Sequence, residues 1–78
     1  MAVEESVRKI LKEVLDVEAN EIQPNAKLDQ AFGVDSTEMV EITVGIKKAL
    51  NLDIQNNELK KSQSFNDIVA YLKTKGAN

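Results

Sequence analysis

The 78-residue chain contains neither Cys nor His, which excludes disulfides and the thiolate and imidazole metal sites that hold many small domains together. A chain of this length buries only a small core, so its stability must come from apolar side chains on regular secondary structure. We expect residues 1–78 to form a single domain, because a second core does not fit into this length.

Apolar side chains recur every three or four residues in three segments, which is the period of an amphipathic α-helix. The pattern predicts principal helices over about residues 3–16, 36–50 and 65–75, and a short helix over about 57–61. No segment alternates apolar and polar residues as a half-buried strand does. The sequence therefore predicts an all-α fold, a small bundle of three principal helices plus one short helix, with a long loop between the first two.

Two patterns mark where helices begin. Asp35 precedes the second principal helix and Glu38 follows three residues later, a spacing that allows reciprocal hydrogen bonds between side chain and backbone. Ser64 and Asp67 repeat the pattern before the last helix. Residues 17–35 lose the helical period and contain the only proline, so we expect a long ordered loop there.

The charge balance limits the classes of partner. Ten basic and 13 acidic side chains give a net charge of −3, which argues against a nucleic-acid binder and favours basic protein surfaces. No apolar run approaches the roughly 20 residues of a membrane span, and the acidic N-terminus is unlike a signal peptide. We expect a monomer located in the cytoplasm.

Self-contained catalysis is not expected from these residues. Without a histidine, Ser36 lacks the base that takes the proton of a serine nucleophile, and the three glycines are too scattered for a phosphate-binding loop. No cluster of metal ligands is expected either. Ser36 instead lies at a predicted helix N-terminus, directly after Asp35, where backbone N–H groups and the helix dipole favour an anion. A hydroxyl in this position suits modification by another enzyme.

Residues 32–42, with the sequence FGVDSTEMVEI, resemble the attachment motif of the acyl carrier protein family. The likeness continues in order and spacing through the first helix, the loop around Pro24, the turn at 52–54 and the last helix. The resemblance implies that Ser36 receives 4′-phosphopantetheine covalently from coenzyme A. It also implies that Asp35 helps a phosphopantetheinyl transferase and its Mg²⁺ to engage coenzyme A.

The same resemblance implies a carrier and not an enzyme. The arm would hold acyl groups as thioesters and deliver them to acyl-transferring or acyl-modifying enzymes of fatty-acid, polyketide or other specialised acyl metabolism. A helical projection predicts an outer face of the second helix beside Ser36. This face, with which we expect basic partner surfaces to dock, consists of Thr37, Glu38, Val40, Glu41, Val44 and Lys48.

Five positions depart from the common pattern of that family. Thr37 replaces a usual Leu, and Lys47 and Lys48 replace acidic residues. Gln55 replaces a frequent Pro, and Ser62 stands where an apolar side chain often lines an acyl cavity. These differences indicate a specialised carrier. Two alternatives stay open: an aminoacyl or peptidyl carrier, and an unmodified acidic helical domain that binds proteins through the same face.

Overall fold

The computed structural model describes residues 3–77, and its regular secondary structure is helical. Four α-helices follow one another: α1 (Val3–Leu15), α2 (Leu28–Phe32), α3 (Ser36–Leu50) and α4 (Phe65–Thr74), with a 3-10 turn at Ala19–Glu21. Within the described range, strand-like pairing is limited to one isolated bridge between Lys27 and Ser64. The predicted all-α class is confirmed.

The apolar faces of α1, α3 and α4 meet in one core, and α1 packs against both of the other helices. On α1, the core face consists of Val3, Val7 and Leu11, which have no exposed surface. The core is completed from α3, α4 and the connecting segments by Ile22, Leu28, Val34, Met39, Ile42, Ile46, Ile54, Leu59, Phe65, Ile68, Val69 and Leu72. These side chains take the place of the absent crosslinks, since burial of apolar area is the dominant favourable term in folding.

Gly45 allows α1 and α3 to approach closely. A β-carbon built at this position would lie 2.9 Å from Cγ2 of Ile10 and 3.0 Å from its Cδ1, which is closer than carbon atoms pack. Glycine is an unfavourable residue inside a helix, so its presence here is explained by the packing of α3 on α1. This contact fixes the middle of the helix that begins at Ser36.

The three long helices end in the same hydrogen-bonded motif. The N–H groups of Val17, Leu52 and Ala77 donate to the carbonyls of Lys12, Lys47 and Leu72, each five residues earlier. The residues just before them, Asp16, Asn51 and Gly76, have positive φ angles of 55°, 55° and 103°. Together these are the features of the Schellman termination. Each motif turns an apolar residue back onto the core.

One element was predicted in the wrong place. Residues 57–61 do not form a helix; the segment consists of two turns, closed by the N–H groups of Glu58 and Gln63 donating to the carbonyls of Gln55 and Lys60. The short helix is instead α2, inside the segment predicted to be a loop.

Contacts between distant parts of the chain explain this difference. The first N–H groups of α2, those of Leu28 and Asp29, donate to the carbonyls of Gln63 and Lys61 at 3.0 and 2.9 Å. These bonds satisfy donors that a helix start leaves without partners, so the turn segment caps α2. Asn57 begins this turn segment and Asn56 precedes it, and asparagine is a weak helix former. The structure therefore has three principal helices and one short helix, as predicted, with the short helix before α3.

Candidate functional site

The backbone around Ser36 presents its side chain to solvent. Gly33 ends α2 in the left-handed conformation, with φ of 64°. The next residue, Val34, is buried in the core, with 2% of its surface exposed. The chain is then extended at Asp35 and becomes helical at Ser36. Asp35, Ser36 and Thr37 are all exposed, and the next core residue is Met39. The exposed hydroxyl thus lies between two buried anchors.

A reciprocal pair of hydrogen bonds fixes the start of α3. The Glu38 N–H donates to Oδ1 of Asp35 at 2.8 Å, and the Asp35 N–H donates to Oε1 of Glu38 at 3.2 Å. This is the predicted capping box. The N–H groups of Ser36 and Thr37 make no hydrogen bond within residues 3–77. Two free donors at the positive end of a 15-residue helix therefore lie beside the Ser36 hydroxyl.

A cleft of about 440 Å³ opens next to this hydroxyl, and Ser36 is one of its lining residues. We call it the Ser36 cleft. Met39 and Val40 of α3 form one wall. The opposite wall belongs to the connection between α3 and α4 and consists of Asn56, Asn57, Leu59, Lys60, Lys61 and Ser62. Of these residues, only Ser62 was expected from the sequence to lie near a cavity, because local patterns do not reveal which loop faces Ser36.

A cluster around Glu58 holds that opposite wall against α4. The Glu58 carboxylate accepts hydrogen bonds from the Gln55 N–H at 2.6 Å, from the Lys75 ammonium at 2.6 Å and from the Tyr71 hydroxyl. These donors, the backbone N–H foremost, lower the pKa of Glu58 to about 2. The bond to Glu58 in turn raises the pKa values of Tyr71 and Lys75.

The sign of this shift sets the pH range in which the Glu58 cluster stabilises the fold. A carboxyl whose pKa is lower in the folded state stabilises that state at pH values above its unfolded pKa. The ordinary pKa of a glutamate is 4.5, so Glu58 stabilises the fold fully at pH values above 4.5. This stabilisation disappears as the pH falls toward 2. The loop wall is consequently held in place throughout the neutral range.

The predicted outer face of α3 is exposed along most of its length. Thr37, Glu41 and Lys48 are exposed, and Val40 and Val44 keep 41% and 38% of their surface accessible. Glu38 differs, because it is half-buried and one of its carboxylate oxygens bonds the backbone of Asp35. The face thus extends from Ser36 to Lys48, about 18 Å at 1.5 Å per residue.

Comparison with known proteins agrees with this geometry. A family model described as "Phosphopantetheine attachment site" matches residues 5–72. The acyl carrier protein of Desulforapulum autotrophicum is 33% identical over 76 residues, which cover 96% of this chain and 99% of the relative. The chain belongs to the acyl carrier protein family. A second acyl carrier protein, from Nitratidesulfovibrio vulgaris (strain DSM 19637 / Miyazaki F), is 31% identical over 75 residues, with 96% and 99% coverage.

Membership of the acyl carrier protein family gives the chain its function and cofactor. It carries acyl groups on a covalently attached 4′-phosphopantetheine, as the resemblance implied, and it interacts with a phosphopantetheinyl transferase and with acyl-handling enzymes. The residues around Ser36 fit this group, since an exposed hydroxyl, two free N–H groups and an open cleft occur together. None of the helices in residues 3–77 is long and apolar enough to cross a membrane.

Replacing Asp35 tests the helix start separately from the hydroxyl. We expect Asp35→Ala to lower the free energy of unfolding by about 1 kcal/mol, because the Glu38 N–H loses its acceptor. Asp35→Asn keeps an acceptor oxygen, so its free energy of unfolding should stay within a few tenths of a kcal/mol of the wild-type value. Urea denaturation followed by circular dichroism measures both.

The control for this experiment is Asp53→Ala, which removes an exposed acid that accepts no hydrogen bond from the described residues. Asp53→Ala should lower the free energy of unfolding by about 0.5 kcal/mol or less. Equal losses for Asp35→Ala and Asp53→Ala would contradict the role of Asp35 in beginning α3.

Proposed function

We propose that Ser36 is the residue to which 4′-phosphopantetheine is attached. The observation that carries this proposal is the exposed hydroxyl at the first residue of α3, beside two unbonded N–H groups and at the edge of an open cleft. An anion esterified to this oxygen lies where a helix N-terminus stabilises negative charge. Ser62, the other exposed serine on the cleft, lies in a turn and lacks this setting.

The attachment step needs a second enzyme. The Ser36 oxygen forms a bond to the phosphorus that bears the pantetheine oxygen in coenzyme A, and the bond from that phosphorus to the adenosine phosphate breaks. Adenosine 3′,5′-bisphosphate leaves with the bonding electron pair, and the hydroxyl proton passes to a base of the transferase. The chain has no histidine to act as that base. We infer that the carrier itself catalyses no reaction.

Asp35 keeps a carboxylate oxygen available for the recognition role that the family resemblance implies. Its Oδ1 accepts the Glu38 N–H, but the side chain is exposed, so the other carboxylate oxygen remains accessible beside Ser36. We infer that this oxygen faces the transferase and its Mg²⁺, since carboxylate oxygens are preferred ligands of that ion. Asp35 thus combines a structural bond with a recognition surface.

The arm supplies the sulfur that this Cys-free chain lacks, since its terminal thiol holds the acyl group as a thioester. The chain's own residues supply the docking surface. We infer that partners dock on Thr37, Glu38, Val40, Glu41, Val44 and Lys48. Exposed valines beside Glu41 offer a small apolar contact, and the charge of Glu41 steers basic partners to the site.

The charge reverses along α3, which supports a specialised set of partners. Glu38 and Glu41 lie near Ser36, whereas Lys47 and Lys48 lie in the last turn and are exposed. The lysines also suit the negative end of the helix dipole. We infer a monomeric carrier in the cytoplasm with no affinity for nucleic acid, consistent with its net charge of −3.

Attachment at Ser36 is tested by mass spectrometry of the intact protein. Incubation with coenzyme A, Mg²⁺ and a broad-specificity phosphopantetheinyl transferase should add the mass of one phosphopantetheinyl group to the wild type and none to Ser36→Ala. Ser62→Ala is the matched control and should be modified like the wild type, because its hydroxyl lies across the cleft. An unmodified wild type beside an active transferase control would instead favour the unmodified interaction domain.

The docking face is tested by the rate of that modification. Glu41→Lys should slow it by at least about threefold, because a basic surface is then repelled next to Ser36. Glu13→Lys makes the same charge change on an exposed position of α1 and should leave the rate near that of the wild type. Added salt should slow the wild type through screening. Equal rates for both variants would show that this face does not guide docking.

A further inference from the structure

We propose that the C-terminal end of α3 binds an acidic segment of a partner protein through Lys47 and Lys48. The site is a groove of about 490 Å³, which we call the α3-end groove. This inference deepens the proposed docking function and rests on α3 being the surface that partners contact. None of the residues that line the groove also lines the Ser36 cleft. The lining consists of Val44, Lys47, Lys48, Asn51, Leu52 and Asp53.

The way in which α3 ends gives the groove a fixed shape. Asn51 takes the left-handed conformation with φ of 55°, and the Leu52 N–H donates to the carbonyl of Lys47 at 3.2 Å. Leu52 is thereby turned back and packs, half-buried, against the core. Val44, one turn before Lys48, keeps 38% of its surface exposed. Two apolar side chains therefore stay partly accessible in the groove, on backbone that is already ordered and loses little entropy when a ligand binds.

The two lysines have no acidic partner within residues 3–77. Both are exposed, and neither belongs to an ion pair with another described residue. The helix positions three and four residues before them hold Thr43, Val44 and Gly45, so α3 offers no acid there. An adjacent pair of ammonium groups thus lacks a counter-charge, although the chain carries more acids than bases. This charge is available to a ligand.

Asp53, the one acid among the lining residues, is partly neutralised by Lys75. The pKa of Lys75 is raised chiefly by its bond to Glu58, and the negative charge of Asp53 adds to that rise. The groove therefore keeps a net positive charge. The negative end of the α3 dipole also lies here and disfavours a bare anion such as phosphate at the backbone. A carboxylate on a partner chain avoids this cost, because the lysine stems hold their ammonium groups away from the helix end.

The groove continues a stripe of side chains that carries opposite charges at its two ends. Glu41, Val44 and Lys48 follow at spacings of three and four residues, so they share one face of α3. Glu41 and Lys48 lie about 10 Å apart along the axis at 1.5 Å per residue. The matching partner surface has a basic group near Ser36 and an acidic group about 10 Å further along the helix.

The opposite charges fix the direction in which a partner lies on α3. A partner turned end for end would place its basic group at Lys48 and its acidic group at Glu41, where like charges repel. A uniformly basic docking surface is disfavoured for the same reason. Because Lys47 and Lys48 replace acids of the common family pattern, this selectivity is a property of this chain.

A second copy of the chain is the competing occupant, because its own α3 carries Glu41 between the exposed Val40 and Val44. Each copy has a net charge of −3, and repulsion between two such molecules opposes self-association. The charges therefore favour an acidic segment of a different protein.

The experiment titrates the unmodified, isotope-labelled chain with a synthetic peptide in which acidic residues flank one leucine. The reference peptide has the same sequence with every acid replaced by its amide. Proton–nitrogen correlation spectra follow each addition. We expect the acidic peptide to shift the amide signals of Val44, Lys47, Lys48 and Leu52 to saturation, and the reference peptide to leave them in place. Added salt should weaken the binding through screening.

A charge variant with a matched control tests the lysine pair. Lys47→Gln/Lys48→Gln should weaken binding of the acidic peptide by at least about fivefold, because the positive charge of the groove is removed. Lys9→Gln/Lys12→Gln removes the same charge from exposed positions of α1 and should keep the dissociation constant within about twofold of the wild type. All four lysines are exposed, so both variants should keep a dispersed, folded spectrum.

The direction of docking is tested with a longer peptide that carries a basic cluster, the leucine and an acidic cluster in that order. A nitroxide at its basic end should broaden the signals of Thr37 and Glu38 more than those of Asn51 and Leu52. A nitroxide at its acidic end should reverse this order. The same broadening from both ends would contradict the fixed direction.

Three outcomes of the titration would overturn the proposal. Equal weakening by the two lysine variants would reduce the binding to general charge attraction. Shifts confined to other parts of the chain would place the peptide elsewhere. Groove signals that move when the protein alone is concentrated, and not when the peptide is added, would assign the groove to a second copy. The titration does not involve modification of Ser36, so failed modification contradicts attachment there, and failed peptide binding contradicts only the α3-end groove.

Discussion

The pair of hydrogen bonds between Asp35 and Glu38 is the constraint on which the proposed attachment site depends. It fixes the residue at which α3 begins, and therefore which side chain occupies the first helical position. A helix that began one residue later would turn the hydroxyl by about 100° and change which N–H groups stay free. Because Val34 and Met39 are both buried, the short stretch between them has little freedom to shift.

The division of labour between chain and cofactor follows from the composition. The protein has no thiol and no imidazole, so the reactive sulfur comes with the arm, and we infer that partner enzymes supply the catalytic groups. What remains for the chain, as we propose, is to present one hydroxyl and to offer a docking face. Weak, charge-steered contacts suit this task, because a carrier must leave each partner.

Local patterns were sufficient to predict the features that depend on neighbouring residues. The capping boxes at Asp35 and Ser64 each join two residues that are three positions apart, and both are present in the structure. The three principal helices were predicted from the apolar period of three or four residues, and the structure places them over nearly the same ranges. These interactions depend on sequence spacing alone, so a single sequence contains the information.

Interactions between distant residues could not be predicted in this way. The short helix α2 exists because its N–H groups meet carbonyls at Lys61 and Gln63, more than thirty residues later. The Glu58 cluster joins residues separated by 13 and 17 positions, and it determines the second wall of the Ser36 cleft. No spacing rule connects these positions, so the wall with Lys60 and Lys61 became visible only in the folded structure.

The most direct test of the account is the mass of the Ser36 peptide from protein purified from its native cells, with the modified residue located by fragmentation. The account predicts a phosphopantetheinyl group on Ser36, alone or extended by an acyl group, in a large share of the molecules. A Ser36 that is unmodified in every molecule, or a phosphopantetheinyl group on another residue, would contradict it.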